Sequence, residues 1–180
     1  MNRNIDRLIN KDMGKVLREI GIKKDQKILD CCCGEGNYTL PAALIAGEKG
    51  IVYALDRNKE KLDSLKKKSD AEKIKNIEII EKEFESNIPL SDKSIDAVLL
   101  YDIFWYFSLE DKKLPKLLDE VHRILKDGAI LSVYPEHIDT ERLKERIKDA
   151  KFQLEREFYK TIIHDDSLRK GHILNFRKIL

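Results

Sequence analysis

The stretch Lys27-Ile28-Leu29-Asp30-Cys31-Cys32-Cys33-Gly34-Glu35-Gly36 constrains the fold more than any other part of this sequence. The apolar run over 27–33 is too short for a helix and is stopped by two glycines, the pattern of a buried strand entering a tight turn. Residues 37–46 then read as a helix, and Pro41 is tolerated there only in the first turn, so the helix starts immediately beyond Gly36. A strand, a glycine turn and a helix are therefore required in that order.

The same alternation continues. A turn at 47–50 leads to a strand at 51–56 and a helix at 59–68 with Leu62 and Leu65 inward. Strands follow at 77–82 and 96–101, then a helix at 115–126 whose buried stripe is Leu117, Leu118, Val121, Ile124 and Leu125. A strand at 129–134 and a helix at 140–150 complete the alternation. The last runs, 152–163 and 172–178, have no helix between them and must pair as a hairpin. Upstream, Ile5, Leu8, Ile9, Met13, Val16, Leu17 and Ile20 recur at helical spacing before Gly21, in an amphipathic helix with a possible break near Gly14. The expected fold is α/β, a three-layer Rossmann-like sandwich around a seven-stranded, mostly parallel sheet closed by a C-terminal antiparallel hairpin. A chain of 180 residues suits one domain over 1–180, divided into an N-terminal helix (1–21), a cofactor-binding core (22–151) and the hairpin (152–180).

Charge excludes some roles. Lys and Arg number 35 against 33 Asp and Glu, so the net +2 sets up no field that would gather nucleic acid or an anionic membrane. Charges every few residues through 1–20 are incompatible with a signal peptide or a membrane span, and the expectation is a cytoplasmic protein. Cys31, Cys32 and Cys33 are adjacent and cannot supply the spaced pairs of a disulfide framework or zinc knuckle. On a strand, Cys31 and Cys33 would face one side and Cys32 the other, as packing residues. Nothing here sets an oligomeric state.

In an open parallel sheet the ligand lies beyond the carboxyl ends of the strands, where the strand order reverses. Gly34 and Gly36 let the backbone pass under a ligand there. Asp56 stands 20 positions beyond Gly36, a spacing that brings a carboxylate to the vicinal hydroxyls of a ribose. A dinucleotide would want a third small residue where Thr39 stands, and Glu35 would set a negative charge near its pyrophosphate. The missing third small residue and the closing hairpin speak against the first rival reading, an NAD(P)-binding oxidoreductase.

At these positions the sequence resembles the class I S-adenosylmethionine-dependent methyltransferases, with Asp30, Cys32, Gly34 and Gly36 in the places of that family's first motif. Cys32 departs from the more usual glycine. The resemblance extends to Asp56 as the ribose-binding acid, to Glu83-Phe84 as the place that contacts adenine, to the polar approach at 91–96, to the helix and turn at 120–128, and to the terminal hairpin. It implies S-adenosyl-L-methionine as cofactor, bound by Asp30, Cys32, Gly34, Gly36, Asp56, Arg57, Glu83, Phe84 and Tyr101. It also implies methyl transfer by direct displacement to a small-molecule acceptor.

Such a displacement depends on alignment of the two reactants. The segment 101–107 follows the fourth strand, and Asp102, Phe104, Trp105 and Tyr106 are expected to face the acceptor, with Tyr101 beside the reacting methyl. Asp102, Glu136 and His137 should converge at the site mouth, with His137 as general base and no metal expected. The segment lacks the Asn/Asp-Pro-Pro-aromatic run of base-amine methylation, and no cysteine stands where a pyrimidine-attacking thiolate would, so a nucleic-acid substrate is not supported. A second rival is a catalytically inactive nucleoside-binding module of the same fold.

Overall fold

The computed structural model describes residues 12–83, 87–110, 112–164 and 167–179. Helix α1 covers 12–19 and is followed by β1 (Lys27–Cys31), α2 (Thr39–Ala46), β2 (Ile51–Asp56), α3 (Lys59–Ala71) and β3 (Ile77–Glu81). Next come β4 (Ile95–Leu100), a 3-10 turn (Phe104–Tyr106), α4 (Lys113–Ile124), β5 (Leu125–Val133), α5 (Thr140–Asp149), β6 (Phe152–His164) and β7 (Ser167–Lys178). The sheet has seven strands in the order β3-β2-β1-β4-β5-β7-β6. Its first five strands are parallel, while β7 runs antiparallel to both β5 and β6. The order reverses between β1 and β4, as the expected architecture requires.

Alternation along the strands builds two cores. Leu29, Cys31, Val98, Leu100, Leu131 and Val133 face α4 and α5, whose stripes Leu114/Leu117/Leu118/Val121 and Leu143/Ile147 are buried against them. Ile28, Val52, Ala97, Leu99 and Ile130 point the other way, onto Met13 and Leu17 of α1 and the alanines of α2. Ala54 meets Leu62 and Leu65 of α3 on that second side. The helices start where their sequences provide caps: Asn58 accepts from the Lys61 amide at 3.1 Å, and Asp139 from the Arg142 amide at 3.0 Å. Pro41 lies in the first turn of α2. Gly14 does not break α1, while the expected Ile5, Leu8 and Ile9 lie outside the described residues. No helix among the described residues is long and apolar enough to cross a membrane.

Some boundaries differ from expectation. β1 stops at Cys31, because Cys32 takes φ +62° and leaves the pleat. Cys31 therefore packs toward α4 and Cys33 toward α3, not on one side together. β5 begins at Leu125, and its pairing with β4 skips from Ile95↔Leu125 to Ala97↔Ile130, so a bulge absorbs the turn at 126–129. β7 begins at Ser167, well before the expected 172, because main-chain pairing carries a polar segment on after the apolar alternation has ended.

One side chain fastens the approach to β4. The Arg123 guanidinium donates to Glu120 at 3.0 and 2.8 Å, to Asp92 at 2.7 Å, and to the Leu90 and Ile88 carbonyls at 2.9 Å each. Glu120 in turn accepts from the Ile88 amide at 2.8 Å. A planar fork serving two carboxylates and two carbonyls has no lysine equivalent. Replacing Arg123 with Ala should lower the unfolding free energy in urea by roughly 2–4 kcal/mol, with Arg123→Lys recovering less than half of the loss. A loss under about 1 kcal/mol would show that the loop holds itself in place.

Candidate active site

The carboxyl ends of β1, β2 and β4 open into a cleft of about 340 Å³ lined by Asp30, the 32–35 turn, Tyr38, Asp56, Arg57, Tyr101, Asp102, Trp105 and Tyr106. The glycine turn forms its floor. Gly34 has φ +54° and nothing closer than 3.9 Å to where a Cβ would stand, so the backbone is laid open to the cleft. Gly36 has φ +90°, and a Cβ there would lie 2.4 Å from Leu65 Cδ1 of α3, so the two glycines serve different purposes. Cys32 shares the left-handed conformation at φ +62°, which explains why glycine suits that place.

Asp56, at the end of β2 and 8% exposed, accepts from the Gly34 amide through Oδ2 and from the Asn58 amide through Oδ1, both at 2.8 Å. It thus fixes the glycine turn to the second strand while lining the cleft. Asp30 is buried at the end of β1, where Thr39 donates its hydroxyl to Oδ2 at 2.6 Å. Burial raises its carboxyl pKa to about 7, against the lowering hydrogen bond of Thr39 and with further raising by Asp56 and Asp102. Thr39 is therefore the orienter of Asp30 as well as a residue that a dinucleotide fold would replace. Glu35 is drawn onto α3 by Lys68 at 2.7 Å and Ser64 at 3.2 Å. The thiols are pushed far up, Cys33 chiefly by burial and Cys32 by its hydrogen bond with Cys31 and then burial, so neither is a thiolate.

The other expected site residues reach the cleft to different extents. Tyr101 gives its ring to the cleft, while its hydroxyl meets Ser132 Oγ at 2.8 Å inside the protein, and burial raises its pKa. Phe104 is buried in the core beside Phe107 and does not line the cleft. Glu83 is exposed and lies 3.6 Å from Arg57, whose guanidinium covers the Tyr106 ring at 5.1 Å. Phe84 lies outside the described residues. Trp105 and Tyr106 are at the mouth, 53% and 46% exposed.

Asp102, Glu136 and His137 do gather at one edge of the cleft, around a residue that the sequence reading missed. His164, fully buried at the end of β6, faces Asp102 Oδ1 with Nδ1 at 2.6 Å and His137 Nε2 with Nε2 at 2.9 Å. The indole of Trp105 stacks on His137 with ring centroids 3.4 Å apart. His137 stacks on the cleft-lining Trp105 without itself lining the cleft. Tyr38, also unassigned from the sequence, packs edge-on against Tyr101 at 4.7 Å and donates to the Ile163 carbonyl at 2.5 Å, tying the cleft wall to β6. No sequence pattern announced His164, which lies one residue beyond the run read as a strand over 152–163 and becomes its last residue in β6.

Residues 22–177 match the family model described as a methyltransferase domain. The chain is 31% identical over 115 residues to a demethylmenaquinone methyltransferase of Geobacillus stearothermophilus, a match covering 64% of this chain and 47% of that protein. It is 30% identical over 119 residues to a demethylmenaquinone methyltransferase of Staphylococcus epidermidis, covering 64% and 45%. The chain thus spans about half the length of the curated relatives it matches. Among solved structures, a SAM-dependent methyltransferase from Aquifex aeolicus superposes with a TM-score of 0.76 at 25% identity, covering 93% of this chain and 90% of that one. Another from Methanosarcina mazei gives 0.74 at 17% identity, covering 92% and 97%. With the first-motif glycines, the acid after β2 and the antiparallel β7 all in place, the chain belongs to the class I S-adenosylmethionine-dependent methyltransferase family.

Proposed function

We propose that this chain, acting as one cytoplasmic domain, binds S-adenosylmethionine in the cleft above Gly34 and directs its methyl group to a small-molecule acceptor at Trp105 and Tyr106. The observation that carries this reading is the acid-lined glycine cleft, in which Asp30, Asp56 and Asp102 converge on an exposed stretch of backbone. That donor set fits the ligand: a ribose diol needs acceptors, and a molecule with an ammonium and a sulfonium gains from carboxylates and aromatic faces. The cofactor supplies a methyl group on positively charged sulfur, ready for in-line displacement.

The chain's own residues bind and align. Asp56 retains lone pairs for the ribose after serving two amides. Asp30, oriented by Thr39, is assigned to the methionine ammonium, whose charge favours the ionised carboxyl and offsets the cost of its burial. The exposed rings of Trp105 and Tyr106 offer a flat apolar wall, suited to an acceptor with an aromatic or quinol-like face, the kind named in the matched demethylmenaquinone enzymes. Transfer of labelled methyl from S-adenosylmethionine to a panel of phenols, quinols and small amines tests the proposal. Tight binding of NAD without S-adenosylhomocysteine would overturn it in favour of an oxidoreductase, and cofactor binding with no labelled acceptor would favour an inactive binding module.

Two substitutions probe the assignments. Asp56→Ala should weaken S-adenosylhomocysteine binding in calorimetry by roughly tenfold to a hundredfold, since it removes charge-assisted hydrogen bonds and loosens the turn at Gly34. Asp56→Asn, with one acceptor oxygen, should fall between; unchanged affinity in both would place the ligand elsewhere. Asp30 governs the pH dependence. With a folded pKa of about 7 against an ordinary 3.8, the folded protein holds more protons than the unfolded chain between those values. Its contribution to the stability of the free protein therefore falls as pH rises from about 4 to about 7. Over the approach to pH 7 the same ionisation should tighten S-adenosylhomocysteine binding. Asp30→Asn should melt at higher temperature than the parent above pH 7 and bind with little pH dependence; parallel pH profiles for the two proteins would refute the assignment.

A further inference from the structure

We propose that Glu136, His137 and His164 form a binding site for a zinc-class divalent ion at the edge of the cleft, independent of the methyl-transfer reading. One ligating atom from each residue lies within 4.8 Å of the other two. The three residues arrive from two places distant in sequence, the segment after β5 and the end of β6, so the grouping is a product of the tertiary fold.

The orientation of the imidazoles carries the argument. A carboxylate only accepts, so Asp102 fixes the proton of His164 on Nδ1 and leaves its Nε2 as a lone pair. That lone pair is aimed at His137 Nε2, 2.9 Å away, and the ring centroids are 4.9 Å apart, so both nitrogens point into the same small space. In the neutral pair, His137 must place its proton between them. A divalent ion takes the place of that proton, which passes by exchange with solvent to His137 Nδ1 so that both rings remain neutral ligands, and the nitrogens need separate only to about 3.3 Å for tetrahedral bonds near 2.05 Å.

The surrounding contacts match those that hold metal ligands. Asp102 bonds the far nitrogen of His164, in a carboxylate–histidine arrangement that fixes tautomer and ring direction. The Tyr134 hydroxyl donates to Glu136 Oε2 at 2.9 Å and so steadies the carboxylate. Trp105 stacks on His137 and holds the plane of its ring. Two imidazoles and one carboxylate form a donor set for zinc or its first-row neighbours, and three protein ligands leave a coordination position open. Trp105 and Asp102, which contact the two histidines, also line the cleft, so the proposed ion site and the cleft share a wall.

The test uses the full chain stripped by a chelator, with no cofactor present, titrated with cobalt(II) as a visible probe for zinc. One ion per chain should bind with the intense visible bands of four-coordinate cobalt, and zinc should displace it. His137→Ala should lose this uptake while keeping the parent circular dichroism spectrum and melting transition, and Asp102→Asn should weaken it by roughly 10–100-fold. If His137→Ala does not fold, Glu136→Gln replaces it with the same expected loss. Absence of uptake by the parent protein at micromolar cobalt, or uptake retained by the folded variant, would overturn the site. Neither result depends on methyl transfer or on binding of S-adenosylmethionine.

Discussion

The carboxylate of Asp56 joins two backbone amides, Gly34 in the turn after the first strand and Asn58 at the start of α3, beside the backbone bond from the Cys33 amide to the Leu55 carbonyl. Its consequences spread in both directions. On one side the turn is held open with Gly34 uncovered toward the cleft. On the other, Asn58 is set to cap α3, and α3 brings Leu65 under Gly36 and Lys68 onto Glu35. A buried acceptor with two short amide bonds is a stronger constraint than either glycine's conformational freedom, because it selects one conformation from the several that glycine permits. The same oxygens that organise the turn are those assigned to the ribose, so formation of the site and stability of the loop are one event.

Asp30 works against this background at the opposite sign. Asp56 stabilises the structure through the bonds it makes, whereas Asp30 sits in a place that favours its protonated form. Thr39 supplies only one hydrogen bond, and the neighbouring acids push the carboxyl further up. A site that concentrates carboxylates in this way is poorly satisfied until a cation enters it. This is a general physical route to selectivity for a positively charged cofactor: part of the binding free energy comes from relieving an unfavourable free state.

What could be read from the sequence follows the range of the interaction responsible. Strand–turn–helix order, the stripe of α4 and the antiparallel closing strand are local or periodic features, and periodicity transmits them directly. Gly34 and Asp56 were legible because a fixed spacing within one βαβ unit brings them together. The end of β1 was not, since only the backbone of Cys32 at φ +62° distinguishes a pleated residue from a turn residue of the same type. Nor was the start of β7: main-chain bonds to β6 extend that strand whatever its side chains are. His164 illustrates the limit best, as its partners lie 62 and 27 positions away and nothing in their separations encodes contact. Phe104 was missed for the converse reason: an aromatic after a strand can turn its ring inward, and its deciding partner, Phe107, comes from packing, just as Ser132 draws in the hydroxyl of Tyr101 while its ring stays at the cleft.

Trp105 connects the two halves of the molecule's chemistry. It lines the cleft on one side and stacks against His137 on the other, while the neighbouring Asp102 both faces the cleft and contacts His164. A displacement of the 102–105 segment would therefore move a wall of the cleft and the histidine pair together. His164 resists that movement, since it is buried at the end of β6, which is also fastened to the cleft through Tyr38 and the Ile163 carbonyl. The terminal hairpin is thus more than a cover for the edge of β5. It carries the anchor that sets where Asp102 stands, and through His137 and Trp105 it shapes the mouth of the cleft.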